Sequence, residues 1–250
     1  MTTTEPRRSP ALLRGLWWAA DYLYAGRRQL AILAPPWTIG RPRPVPAAWR
    51  RGGDDLPEVV LIPGVYEHWT FLIPLGDALS AAGHRVSVVH GLGINRGTVA
   101  STAHRLGGVL AQHPSPDAGR VIVAHSKGGL IAKHLLVDLE SGGDQLGVRG
   151  VVAVCTPFGG SRLASVLAWD RSIRDFLPSD ATILALGRAT SVNARIVSVF
   201  GPYDPHIPEG SALDGATNVL VRAPGHFRVL GAAGTHEAVI AGIRLLTERE

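Results

Sequence analysis

The chain has 250 residues, 46% apolar and 18% charged, with a mean hydropathy of +0.15, which supplies one sizeable core and excludes a disordered chain. Its single cysteine, Cys155, excludes an internal disulfide and a cysteine-based zinc cluster. The net charge of +5 is uneven: residues 1–51 hold nine arginines against Glu5 and Asp21, leaving the remainder near −2, which argues against a nucleic-acid binder with a basic folded face.

In the N-terminal segment, Leu12, Leu16, Ala20, Leu23 and Tyr24 recur at roughly helical spacing and predict an amphipathic helix over Ala11 to Ala25. Arg14 and Asp21 interrupt it, and it falls short of the ~20 apolar residues that cross a bilayer. It also lacks the charged start, apolar run and small-residue cleavage site of a secretory leader. Two readings fit: an extension packed on the main domain, or an interfacial anchor whose partner is an anionic membrane surface. The expected location is accordingly cytoplasmic or peripheral to a membrane. Pro35, Pro36, Pro42, Pro44 and Pro46 follow among Arg and Gly and suit an extended connector. Residues 1–55 are therefore read as a basic extension and 56–250 as the folded domain.

From Leu56 onward, short β-branched runs alternate with helical patterns. The runs are Val59–Ile62, Arg85–Val89, Val121–Ala124, Val151–Cys155, Ile196–Phe200 and Val219–Arg222. Continuous apolar character marks strands covered on both faces, so an α/β fold with a parallel, doubly wound sheet of about six strands is predicted. Helices are expected over 69–82, 98–112, 128–140 and 235–249.

The run Arg120-Val-Ile-Val-Ala-His-Ser-Lys-Gly-Gly-Leu-Ile-Ala132 places Ser126 where a strand passes into a helix, with Ala124 two residues before it and Gly128 two after. A tight strand-to-helix turn needs small flanking residues and lifts the serine hydroxyl out of the sheet: a nucleophile elbow. With this context the sequence resembles the α/β-hydrolase superfamily, and within it small bacterial lipases and esterases whose elbow reads Ala-His-Ser-x-Gly-Gly. The resemblance spans roughly Leu56 to Leu246.

What the resemblance implies is a serine, then an acid, then a histidine in chain order, with two backbone N–H groups as an oxyanion hole. Asp204, in Gly201-Pro-Tyr-Asp-Pro-His-Ile-Pro208, matches the acid turn after a strand. His226, in Gly225-His-Phe-Arg-Val-Leu230, matches the lipase Gly-His-x-x-x-Leu pattern. Ser126 is thus assigned as nucleophile, His226 as base and Asp204 as the acid that orients it. His206 and His236 are read as structural or surface residues, and Asp214 as a turn residue. The elbow supplies the N–H of Lys127, and Val59-Val-Leu-Ile-Pro-Gly-Val-Tyr66 resembles the loop that supplies the second, from Val65, with Pro63 where the family usually has His.

The Lys127 side chain is expected to lie over the surface and pair with a carboxylate, the other reading being that it points into the site and attracts anionic substrates, and His125 is expected to pack behind the elbow. Thr156-Pro-Phe-Gly-Gly-Ser161 is similar to the Thr-Pro-x-x-Gly-Ser run of the lipases, and 157–194 is the segment where such enzymes carry a cap or lid. No cofactor or metal is called for: the ten histidines include no His-Glu-x-x-His, and no phosphate loop follows a strand. The expected activity is cleavage of a carboxylic ester, with an apolar acyl ester or lipid as substrate. The alternatives are acyl transfer or perhydrolysis on the same residues, and a catalytically silent binding module.

Overall fold

The computed structural model describes residues 10–30, 44–143, 145–167 and 169–248. Six strands form one sheet: β1 (Glu58–Ile62), β2 (Val86–Val88), β3 (Arg120–His125), β4 (Val148–Val154), β5 (Ile196–Phe200) and β6 (Thr217–Leu220). Their order is β2-β1-β3-β4-β5-β6 and every neighbouring pair is parallel. The helices are α1 (Ala11–Leu30), α2 (Ile73–Ala81), α3 (Val99–Ala111), α4 (Lys127–Gly142), α5 (Arg171–Arg174), α6 (Ala181–Arg188) and α7 (Ala233–Thr247).

Alternate residues of a strand point to opposite faces, and here both faces are covered. Val59 and Leu61 of β1 join Val121 and Val123 of β3 in one core, against Leu75 and Leu79 of α2 and Val239 and Ile243 of α7. Val60, Ile62 and Ile122 face the other way, against Leu106 of α3 and Leu130 and Leu135 of α4. This two-sided burial produces the continuous apolar runs of the sequence. The predicted run Val219–Arg222 is displaced: β6 begins at Thr217, and its residues alternate between partly buried and exposed. It is an edge strand, so a criterion of continuous apolarity misses its start.

The N-terminal helix forms, but the stripe that docks is not the stripe of leucines. Leu12, Leu16 and Leu23 are exposed, whereas Asp21 is fully buried and Trp17 and Tyr24 are partly buried. Trp17, Asp21 and Tyr24 also lie on one helical face, and Trp17 stacks on Tyr203 at 5.7 Å. Contacts also reach across position 55. Trp49 is fully buried, its Nε1–H donates to Asp77 Oδ1 at 2.8 Å, and a Cβ on Gly76 would fall 2.3 Å from its ring. Truncating such a tryptophan typically costs ~3–5 kcal/mol, a large share of the ~5–15 kcal/mol that holds a domain. Trp49 thus belongs to the core, whereas α1 packs on the surface through Trp17, Asp21 and Tyr24. Among the described residues, no helix is long and apolar enough to cross a membrane.

Candidate active site

The carboxyl ends of parallel strands form the edge where α/β folds place their sites. Ser126 follows β3 directly, and Asp204 and His226 lie on the loops after β5 and β6. Ser126 has φ +52° and ψ −122°, a conformation that is costly for a residue with a Cβ and persists only when its surroundings impose it. Here the imposition is visible. Its N–H donates to Val154 O at 2.9 Å, and its carbonyl accepts from Thr156 Oγ1 at 2.9 Å and Gly129 N at 3.0 Å. A Cβ on Gly128 would lie 2.5 Å from Ile62 O, and one on Gly129 2.0 Å from Thr156 Oγ1. Both glycines of the motif therefore answer to close backbone or side-chain approach.

Three side chains meet in a hydrogen-bonded chain. His226 Nε2 lies 3.0 Å from Ser126 Oγ, and His226 Nδ1 lies 2.7 Å from Asp204 Oδ2. Asp204 Oδ1 accepts from the N–H groups of His206 (2.8 Å) and Ile207 (3.1 Å), which leaves Oδ2 aimed at the imidazole. Burial alone pushes the Asp204 carboxyl up, but the charge and hydrogen bond of His226 outweigh it and hold it below the usual carboxylate value. For His226, burial disfavours the charged ring, yet Asp204, then Glu67 and Asp21, raise its pKa above the ordinary 6.5. A neutral ring at Nε2 can accept the Ser126 proton, and the carboxylate behind it stabilises the cation that results.

Cys155 completes the surroundings of Asp204. It sits just past β4 with φ +48°, and burial, followed by the charge of Asp204 to which it is hydrogen-bonded, pushes its thiol well above the ordinary range. Cys155, Asp204 and His226 hold ligand-type atoms within 4.8 Å of one another, but metal binding needs a deprotonated thiol and two free partners. Here Asp204 and His226 are committed to each other at 2.7 Å.

On the opposite side lies the loop after β1. Val65 and Ser126 line the same cleft, and among the described residues neither the Val65 nor the Lys127 N–H donates to any acceptor. Glu67, a buried carboxylate, accepts the Gly64 N–H at 2.8 Å and pairs with His125 Nδ1 at 2.8 Å. His125 in turn donates from Nε2 to the His226 carbonyl at 2.9 Å. Asn95 Nδ2 fixes the Pro63 carbonyl at 2.7 Å from the third side. The cleft itself measures about 160 Å³ and is walled chiefly by apolar side chains, including Leu163, Ile173, Phe176 and Phe227. A larger surface groove, about 550 Å³ between α1 and Arg228, lies apart from these groups.

No family model and no curated protein matches this sequence. Solved structures do. A lipase of Bacillus licheniformis, BlEst2 in its mature form, superposes with a TM-score of 0.57 at 14% identity, covering 82% of this chain and 96% of its own. The metagenomic carboxyl esterase MGS0156 gives a TM-score of 0.59 at 17% identity, with 84% and 79% covered. The thioesterase domain of the curacin biosynthetic pathway gives 0.51 at 15% identity, with 78% and 92% covered. The chain has the α/β-hydrolase fold.

In the stretch after β4, Leu163, Ala164, Ile173 and Phe176 line the cleft beside Ser126. The stretch is fastened by Lys127, whose side chain departs from expectation. Lys127 does not lie on the surface: it is fully buried and donates from Nζ to the carbonyls of Gly97 and Ser172, 5.5 Å from the Phe176 ring. Burial draws its pKa down to about 8, with Asp175 acting the other way. That stretch makes this position interior, and helical spacing within α4 carries no sign of the contact.

His206 is a neighbour of the site rather than a member of the chain. Its ring stacks 4.8 Å from that of His226, its Nε2 meets Tyr22 Oη at 2.9 Å, and burial followed by the charge of His226 lowers its pKa to about 4. His236 Nε2 bonds the Leu230 carbonyl at 2.8 Å, and Asp214 is exposed in its turn. Sequence reasoning missed Thr156, Glu67 and Asp21, each of which holds a main-chain group of the site. Thr156 stood in a motif already singled out. Asp21 carries a signal as the lone acid of α1, but helical periodicity alone does not say what it meets.

Proposed function

We propose that the protein is a serine hydrolase that cleaves carboxylic esters with apolar acyl groups through an acyl-enzyme intermediate. The observation that carries this reading is the continuous contact from Ser126 Oγ to His226 to Asp204, at 3.0 and 2.7 Å. Ser126 attacks the ester carbonyl carbon while His226 Nε2 takes its proton, and Asp204 stabilises the imidazolium. The oxyanion is received by the N–H groups of Val65 and Lys127, and the proton returns to the departing alkoxide. Water, activated by the same histidine, then releases the acid. Solved structures of lipases and esterases with this fold support the class of reaction.

The apolar, 160 Å³ cleft is small beside the ~300–1,000 Å³ of pockets that enclose drug-sized ligands, so short acyl chains are expected to fit best. The exposed Leu12, Leu16 and Leu23 of α1, together with Arg27 and Arg28, suit peripheral contact with an anionic lipid surface. One experiment addresses these points: hydrolysis of p-nitrophenyl esters from butyrate to palmitate, free and in anionic vesicles. Activity should fall with chain length and rise on vesicles in a manner that salt abolishes. kcat/KM should climb with pH through one ionisation above 6.5, because His226 must be neutral to act and its pKa is raised. Absence of hydrolysis at every chain length would contradict the reading, and butyryl transfer to an added alcohol in place of hydrolysis would redirect it to acyl transfer.

A further inference from the structure

We propose that Asp21 of the N-terminal helix is a positioning residue for His226, so that α1 is part of the catalytic apparatus. The proposal rests on the serine-hydrolase reading above. Asp21 is fully buried, and no lysine or arginine side chain pairs with it among the described residues. Its partners are three consecutive main-chain N–H groups of the histidine loop. Oδ2 accepts from His226 at 3.0 Å, and Oδ1 accepts from Phe227 at 2.8 Å and Arg228 at 2.9 Å. A buried carboxylate is costly unless hydrogen bonds replace its hydration, and a run of N–H groups facing one anion does so.

The loop is shaped for this contact. Gly225 has φ +110°, and a Cβ there would fall 2.5 Å from Asp21 Oδ1. Its N–H donates to Tyr203 O at 2.8 Å, which joins the histidine loop to the loop of Asp204. The same helix touches that second loop through Trp17 on Tyr203 and Tyr22 on His206. From the far side, His125 holds the His226 carbonyl. With both its N–H and C=O fixed, the His226 backbone cannot shift, and the ring keeps its line from Asp204 to Ser126. A displacement of about 1 Å in such a geometry costs on the order of 100-fold in rate.

Asp21→Asn would set an amide N–H against one of these backbone donors, with little change in volume. The variant is expected to lower kcat about 100-fold, while KM for a soluble short ester stays within about threefold. It should also move the acidic limb of kcat/KM to lower pH. The charged and titratable groups around the ring are Asp204 and His206, Cys155, Glu67 and His125, and Asp21, and the substitution removes one of the negative charges that favour the imidazolium. Leu13→Ala, on the exposed side of α1, serves as comparison: kcat and the pH limb both stay in place. An Asp21→Asn enzyme with wild-type kcat, or one that loses only thermal stability, would overturn the proposal. Amide hydrogen exchange on the wild type tests the contact without any variant: residues 226–228 should be protected together with α1, and exchange at the solvent rate would overturn it even if Asp21→Asn does not fold. Wild type that neither hydrolyses esters nor reacts with a fluorophosphonate would instead defeat the hydrolase reading, while the exchange result still decides the role of Asp21 in holding the loop.

Discussion

His226→Ala is expected to lower kcat/KM on a soluble ester by ~10³–10⁶, with the loss in kcat. The serine hydroxyl is a weak nucleophile, and Nε2, 3.0 Å from it, belongs to the nearest group able to take its proton. The substitution removes that base and also takes the imidazole partner from the buried Asp204 carboxylate, so a loss of stability should accompany the loss of rate. Steady-state kinetics with a parallel unfolding curve would separate the two. Activity within about tenfold of wild type would contradict the assignment and turn attention to His206, whose ring is stacked 4.8 Å away.

Asp204→Asn should cost on the order of 10⁴ in kcat by analogy with the aspartate of serine-protease triads. The reason is directional. The backbone N–H groups of His206 and Ile207 demand an acceptor at Oδ1, so an asparagine keeps its oxygen there and turns its NH₂ toward His226 Nδ1. The ring must then carry its proton on Nε2, facing Ser126, and cannot serve as base. Loss of the charge also lowers the His226 pKa, so the residual activity should persist to lower pH than in wild type. Stability links to the same pair with opposite signs. Asp204, whose folded pKa is depressed, stabilises above its unfolded pKa, and that contribution disappears as pH falls through the folded value. His226, whose pKa is raised, stabilises below its unfolded pKa and loses that contribution as pH rises through the folded value. Rate measurements from pH 5 to 9, normalised to folded protein, would show the shift; an unchanged profile would mean that Asp204 does not govern the ring.

What the sequence disclosed is what local pattern can encode. Buried parallel strands are apolar throughout, so β1, β3 and β5 stood out, and the glycines around Ser126 announced a tight turn because close approach leaves no room for a Cβ. The residues that stayed hidden act across long separations. Asp21 bonds N–H groups more than 200 positions away, Glu67 is joined by hydrogen bonds to the His226 carbonyl through His125, and Lys127 bonds a carbonyl some 45 residues downstream. Periodicity describes a helix's own faces but not which face a distant loop will occupy. On α1 it favoured the leucine stripe, whereas the fold uses the stripe with the buried acid.

Activation of Ser126 by its neighbours is read out by reaction with a fluorophosphonate followed by mass mapping of the adduct. A single phosphonylated serine at position 126 is expected in wild type, none in Ser126→Ala, and a greatly reduced rate of modification in His226→Ala. Adduct on another serine, or modification of Ser126 at the same rate with and without His226, would contradict that activation.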